Sequence, residues 1–414
     1  MKIRRLLALL AATALLGAVA VGQPIAHAAG ETAYAVEVGH DLSFVPQSGG
    51  VASESMRFMA PEMNVHKGDT ITFQGFFHTA TALPVGEDPD EWIATNMALL
   101  APYSLAQPDD EGSTSLKFND ADVFPTGGFT CGIGTAPACE YDGTDVVNSG
   151  LLFISTTADP DTGALTGGYT MTINANPGES FYLICFLHPN MRLKVNVIQT
   201  SENGTTQGDI DTYSQTTSLQ DANTVKAIDA NYSGLHQSRK IKNGHRLWQA
   251  WVGVDYGEVG GGVTVFDIYP DKLNLRKGDK VKYNFDQNLF EIHSATSPPS
   301  QAYRLAGEFF SFQCDPDGSG SAADTPANPD GTCPAGTQLE IDSTAEALAT
   351  IGDGKKTSAS DFESAGVRGP FLPAGITQQQ NPWTETFTKP TGKKPAKYVC
   401  LVHPNMVNKV VVKR

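Results

Sequence analysis

Positive charge is scarce in this chain: 29 Lys and Arg stand against 45 Asp and Glu among 414 residues, a formal net charge of −16. Such a surface is a poor partner for nucleic acid, because that affinity comes largely from Lys and Arg neutralising phosphates. Long apolar runs are also missing. Beyond Val21 no stretch approaches the roughly 18 consecutive apolar residues of a membrane-crossing helix, and no Cys follows the first apolar run to accept a lipid. Cysteine is limited to six residues.

What is present begins with Lys2, Arg4 and Arg5, an apolar run from Leu6 to Val21, and Ala26-His27-Ala28. This pattern predicts a signal peptide over residues 1–28, cut after Ala28, and hence export by the Sec route to the periplasm, cell surface or medium. Arg4-Arg5 is a poor twin-arginine motif, since no Ser precedes it and no Phe follows. Cleavage removes three basic residues and no acidic one, so the mature chain is more acidic still. An acidic face steers cationic proteins in a salt-dependent way, although the plainer role of the charge is solubility.

The most informative stretch is Tyr182 to Val197, YLICFLHPNMRLKVNV, which recurs as Tyr398 to Val412, YVCLVHPNMVNKVVV. Both copies read Cys-x-x-His-Pro-Asn-Met. Each places a thiolate, an imidazole and a thioether on one short loop between β-branched runs, the ligand types that soft or borderline metals prefer. Each copy has an upstream His in matching context, FFHTAT at His78 and EIHSAT at His293. The candidate metal ligands are therefore His78, Cys185, His188 and Met191 in one half, and His293, Cys400, His403 and Met406 in the other.

The repeat extends further. Met63 to Phe73 and Leu273 to Tyr283 each read as two strands joined by a Lys-Gly-Asp turn, at Lys67-Gly68-Asp69 and Lys277-Gly278-Asp279. Short runs rich in Val, Ile, Thr, Phe and Tyr between Gly, Pro, Asn and Asp clusters predict an all-β protein. At roughly 100–200 residues per domain the length suggests two or three domains, and the repeat settles on two. The expected boundaries are 31–200 and 245–414, with a polar, partly helical linker over 201–244, in which Leu219 to Leu235 reads as an amphipathic helix. A second helix is expected from Asp90 to Leu100, capped by Asp90, with Trp92, Ile93, Met97 and Leu100 on one face.

Two His, one Cys and a weak axial Met are the ligand set of type 1 blue-copper centres. On these residues each half resembles a cupredoxin, and the two-residue gaps from Cys to His and from His to Met are closer to amicyanin than to plastocyanin or azurin. The resemblance implies two tandem Greek-key β-sandwich or barrel domains with one type 1 copper each. It also implies single-electron transfer between redox proteins outside the cytoplasm, basic cytochromes among them. His188 and His403 would be electron ports, lined by Phe186, Leu187 and Pro189 and by Leu401, Val402 and Pro404. With Cys185 and Cys400 kept as thiolates, four cysteines remain; local pairing of Cys131 with Cys139 and of Cys314 with Cys333 gives each half the same disulfide.

Multicopper oxidases and copper nitrite reductases also use tandem cupredoxin domains, with added His-rich sites often marked by His-x-His pairs. No such pair occurs here. His40, His66, His236 and His245 are too few for a trinuclear cluster, and their spacing gives no sign of convergence. The sequence reading is thus an electron carrier without catalytic residues, not an enzyme. Copper sequestration or delivery is the alternative that uses the same ligands.

Overall fold

The computed structural model describes residues 32–414 apart from 76, 101–102, 109–113, 119–130, 134–135, 153–156, 159–164, 167, 310, 316–324, 327–337, 344–350, 371–379 and 404. The signal-peptide assignment lies outside the described residues.

Two halves of one plan make up the chain. In the first, strand Ala33–Asp41 runs antiparallel to Ser53–Phe58 and parallel to Thr70–Gly75, which continues to Tyr169–Ile173 and Cys139–Tyr141. A second sheet follows the order Glu62–His66, Arg192–Ile198, Ser180–Ile184, Thr81–Ala82, Val147–Asn148. The second half repeats this strand for strand. Arg246–Glu258 lies between Gly261–Tyr269 and Lys280–Asn284, with Trp383–Phe387 and Lys355–Lys356 beyond. Its other sheet runs Lys272–Arg276, Val407–Lys413, Ala396–Val399, Thr296–Ser297, Glu363–Ser364. The expected all-β, multi-domain class is what the structure has.

Period-two alternation creates the core. Leu193, Val195 and Val197 are buried while Lys194 and Asn196 between them are not, and Leu273 and Leu275 repeat the pattern in the second half. The Lys-Gly-Asp turns do more than reverse the chain. Gly68 and Gly278 take φ of 95° and 90°, a conformation open to glycine at little cost. The buried carboxylates that follow pin the first strand of each half: Asp69 accepts from Thr32 N at 2.7 Å and His66 N at 2.7 Å, and Asp279 from Arg246 N at 2.8 Å and Arg276 N at 2.9 Å.

The halves share a sheet. Ser53–Phe58 pairs antiparallel with Gly261–Tyr269, with Glu54 opposite Thr264. Because each of these strands is the hairpin partner of its half's first strand, the pairing joins equivalent elements into one 11-stranded sheet. The insertions meet as well, Gln338–Ser343 pairing with Thr114–Phe118.

The linker helix runs from Gln207 to Tyr232, starting well before the expected Leu219, because Thr206 and Asp209 form a capping box. Its docking is partly polar. Asp221 is buried and takes hydrogen bonds from Ser55 Oγ at 2.5 Å and Arg57 Nε at 2.9 Å. Ala222, Val225 and Ile228 pack with Val254 and Val265, whereas Leu219, expected on the apolar stripe, is exposed.

The first-half helix spans Pro89–Leu100. Asp88, not Asp90, caps it, accepting from Asp90 N at 2.8 Å and Glu91 N at 3.1 Å; Asp90 instead pairs with Arg192 at 2.6 Å. The side chains of Met97 and Leu100 lie outside the described residues. A helix over Pro299–Phe309 in the second half was not anticipated; Pro299 suits its first turn. Cys131 and Cys139 form the expected disulfide. The Cys314–Cys333 assignment falls on Cys333, outside the described residues. Among the described residues no helix is long and apolar enough to cross a membrane.

Candidate metal centre

Each ligand loop leaves the strand before it at the Cys and enters the next strand after the Met. In the first half His188 N bonds Cys185 O at 3.2 Å and Met191 N bonds His188 O at 2.8 Å, so the loop winds through successive turns from Cys to Met. Met406 N bonds His403 O at 3.0 Å in the second half. The upstream His arrives from the segment that leads into the neighbouring strand, Thr81–Ala82 or Thr296–Ser297. His78 Nδ1 lies 3.0 Å from His188 Nδ1 and 3.8 Å from Cys185 Sγ, and His188 Nδ1 is 3.5 Å from the same sulfur. The second half matches: His293 Nδ1 to His403 Nδ1 is 3.2 Å, and His403 Nδ1 to Cys400 Sγ is 3.8 Å. Met191 and Met406, on the same loops, are fully buried. Among the described residues these are the two clusters of metal-ligating type, and His40, His66, His236 and His245 join neither.

Both sulfurs are held by the same backbone device. Thr79 N donates to Cys185 Sγ at 3.3 Å, and Ser294 N to Cys400 Sγ at 3.3 Å. The hydroxyls of these two residues accept from Phe186 N and Leu401 N, each at 2.8 Å, which ties each ligand loop to the segment bearing the upstream His. The repeated His-Thr-Ala-Thr and His-Ser-Ala-Thr carried the signal for this role.

Two glycines make room for the upstream rings. Gly39 and Gly253 sit at β-bulges in the first strand of each half, with φ of 73° and 69°. A Cβ at Gly39 would lie 2.2 Å from His78 Nε2, and one at Gly253 would lie 2.1 Å from His293 Nε2. The repeated Gly-x-Asp, Gly39-His40-Asp41 and Gly253-Val254-Asp255, was the available signal.

The outer ring nitrogens are treated differently in the two halves. His78 Nε2 donates to Glu54 Oε1 at 2.7 Å. His293 Nε2 has no hydrogen-bond partner among the described residues. The loop histidines converge on one carboxylate across the junction between the halves: His188 Nε2 is 3.0 Å from Glu291 Oε1, and His403 Nε2 is 3.7 Å from Glu291 Oε2. Glu54 and Glu291 were missed in the sequence because neither is repeated; Thr264 pairs opposite the first, and the repeat puts Phe76 where the second stands.

These contacts govern the charges. Burial disfavours the thiolate of Cys185, but the charge and hydrogen bond of His188, with those of His78, outweigh it and bring the thiol well below its ordinary range. Burial likewise opposes ionisation of Cys400, and the hydrogen bonds of His293 and His403 bring it well below. Burial pushes the His78 imidazole down, yet Glu54 and Cys185 hold it up at about 9. His188 is raised well above its usual value by Glu291 and Cys185 against the same burial. A soft cation is the partner that the donor chemistry of each cluster, a buried thiolate with two imidazoles, fits.

Of the two electron ports that the resemblance implies, the first is covered. His188 is only 5% exposed and Phe186, Leu187 and Pro189 are buried, because the second half covers the loop. Gly260 N bonds Asn190 O at 2.8 Å and Asn190 Nδ2 bonds Leu289 O at 3.1 Å. The His403 side chain keeps 21% of its surface, with Phe266 against its ring at a centroid distance of 4.4 Å. Pro404 lies outside the described residues.

No family model and no curated protein matches the chain. Among solved structures it is similar to a Cu-containing nitrite reductase (NirK) from Thermus scotoductus SA-01, with TM-score 0.20 and 9% identity over 93% of this chain and 68% of that one. A multi-copper oxidase from Pediococcus acidilactici gives TM-score 0.17 and 8% identity over 93% of this chain and 59% of that one. Fet3p, a multicopper oxidase that functions in iron import, gives 0.19 and 9% over 92% and 66%. The reading of the chain as a carrier and not an enzyme is corrected here. The absence of His-x-His pairs does not exclude a copper enzyme. The count of spare histidines also left out the carboxylates, Glu54 and Glu291, that the junction brings to His78, His188 and His403.

Proposed function

We propose that the chain is a copper redox protein with two type 1 centres on cupredoxin-like halves, passing single electrons to and from partners outside the cytoplasm. The observation that carries this reading is the convergence of two Nδ1 atoms and one thiolate sulfur at each of two repeated loops. His78, Cys185, His188 and Met191 would hold one copper, and His293, Cys400, His403 and Met406 the other. Copper bound to such a set supplies a one-electron Cu(II)/Cu(I) couple. The chain's part is to keep the ligands still, exclude water and tune the sulfur. The His78 and His188 rings fixed through Nε2, loops tied by Thr79 and Ser294, and an N–H donated to each thiolate serve those ends. The acidic surface suits basic redox partners, cytochromes included.

A second reading is that these centres feed turnover of a small substrate. It is favoured by the His and carboxylate groups gathered at the junction, where His188, His403 and Glu291 meet.

Copper stoichiometry, optical spectra and EPR of the copper-loaded protein test the first reading. Two coppers per chain, strong thiolate-to-copper absorption and only narrow-hyperfine signals are expected. Loss of the absorption in two steps, through Cys185→Ser and Cys400→Ser, assigns it to the two loops. Absence of any such band in the wild type overturns the assignment. A third copper, or turnover with oxygen and a phenol or with nitrite, selects the second reading; rapid surrender of Cu(I) to a chelator marks a delivery protein.

A further inference from the structure

The first centre is not completed by the half that supplies its ligands. Its loop histidine, His188, finds its outer partner in Glu291, a residue of the second half two positions before His293. Glu291 is itself buried, and its two oxygens divide between the halves. Oε1 faces His188 Nε2 at 3.0 Å; Oε2 faces His403 Nε2 at 3.7 Å and accepts from Ile292 N at 3.2 Å. An ionised carboxylate is only an acceptor, so His188, within hydrogen-bond distance, presents a proton at Nε2, while His403 Nε2, at 3.7 Å, lies just beyond that distance. With Nε2 so engaged, Nδ1 is the ring nitrogen that would serve a metal beside the thiolate.

We infer that Glu291 is a positioning residue shared by both centres, so that metal binding in one half strengthens metal binding in the other. This rests on the reading of the two clusters as metal sites. Fixing one ring on its metal holds one oxygen of Glu291, and the carboxylate is then already placed for the other ring. The second site no longer bears that ordering cost, which is positive cooperativity without a large movement. Glu54 offers a built-in contrast, because it holds His78 of the first centre alone at 2.7 Å.

The test is Cu(I) titration of the full chain against a competing chelator. In the wild type, the affinity of either site is expected to be at least about fivefold higher when the other can fill than when its Cys is replaced, by Cys185→Ser or Cys400→Ser. Glu291→Gln keeps one acceptor but cannot serve two donors. It is expected to lower affinity at both sites, by about 10-fold or more at the first, and to abolish the dependence of one site on the other. Glu54→Gln should weaken only the first site and leave the dependence intact.

A loss confined to one site in Glu291→Gln, or a coupling that survives it, overturns the inference. Nitrogen-edited NMR of the wild-type, metal-free protein decides without any variant, should Glu291→Gln fail to fold: protected Nε2–H signals from His188 and His403 support the shared carboxylate, and their absence overturns it. Failure of the underlying reading has a different signature, a wild type without thiolate-to-metal absorption.

Discussion

Glu54 stands directly across from Thr264 in the strand pair that joins the two halves, and these equivalent positions have parted in chemistry. Glu54 holds His78 through Nε2, whereas Thr264 turns to Asp255, its hydroxyl donating to Oδ1 at 2.5 Å, and His293 Nε2 is left without a hydrogen bond. Two clusters of the same residue types therefore differ in what supports their buried rings. Glu54→Gln is expected to weaken metal binding in the first half by about 10–100-fold, the usual cost of losing a carboxylate behind a ligating His. The second half should be unaffected, as competition with a chelator for single-site variants would show.

Gly39 and Gly253 give a steric prediction. A methyl at Gly39 would strike both His78 Nε2 and Glu54 Oε1, at 2.2 and 2.4 Å, at a φ that side chains rarely adopt. Backbone strain alone costs about 1–3 kcal/mol, and displacement of the ring adds to it. Gly39→Ala should lower the unfolding midpoint and abolish metal binding in the first half; Gly253→Ala should do the same in the second. Retention of both thiolate-to-metal bands at full strength in Gly39→Ala would show that the ring has room to move.

The polar docking of the linker helix is open to urea unfolding. Asp221 gathers Ser55 and Arg57, with Arg57 Nη2 to Asp221 Oδ1 at 3.1 Å completing a two-pronged pair. Asp221→Ala leaves the hydroxyl and guanidinium without that acceptor. The expected loss is about 2–3 kcal/mol, less than the 3–5 kcal/mol of a fully buried pair because Arg57 keeps some solvent contact. Arg57→Ala should cost less, since Asp221 retains Ser55.

Asp267 predicts how stability depends on pH. Burial, aided by the charges of Asp271 and Asp229, raises its carboxyl from 3.8 to about 6. Between those values the folded chain binds the proton that the unfolded chain has released, so this group makes stability fall as pH rises from about 4 to about 6. Asp267→Asn keeps an acceptor for Ile268 N, which bonds Oδ1 at 2.7 Å, and removes the titration. The variant should match the wild type near pH 4 and exceed it by about 2–3 kcal/mol at pH 7. Parallel denaturation curves at the two pH values would show the divergence.

Much of the site was legible because it is local and repeated. Cys185, His188 and Met191 sit within one loop, and a second copy of the loop removed the ambiguity of a single Cys-x-x-His. The linker helix was legible only in part: hydrophobic periodicity pointed to Leu219, but the capping box at Thr206 and the burial of Thr217, Ser218 and Asp221 set its start and its docked face. Polar docking leaves no apolar period to read.

The sequence by itself determined the duplication, the strand pattern and the ligand loops, since each depends on residues close along the chain and on a period of two. Tertiary structure alone decided that Ser53–Phe58 pairs with Gly261–Tyr269 and that Glu291 reaches from one half to His188 in the other. The physical reason is that backbone pairing between strand edges is nearly independent of side-chain identity. The partner of an edge, and every contact that follows from it, is fixed by how whole sheets fit together.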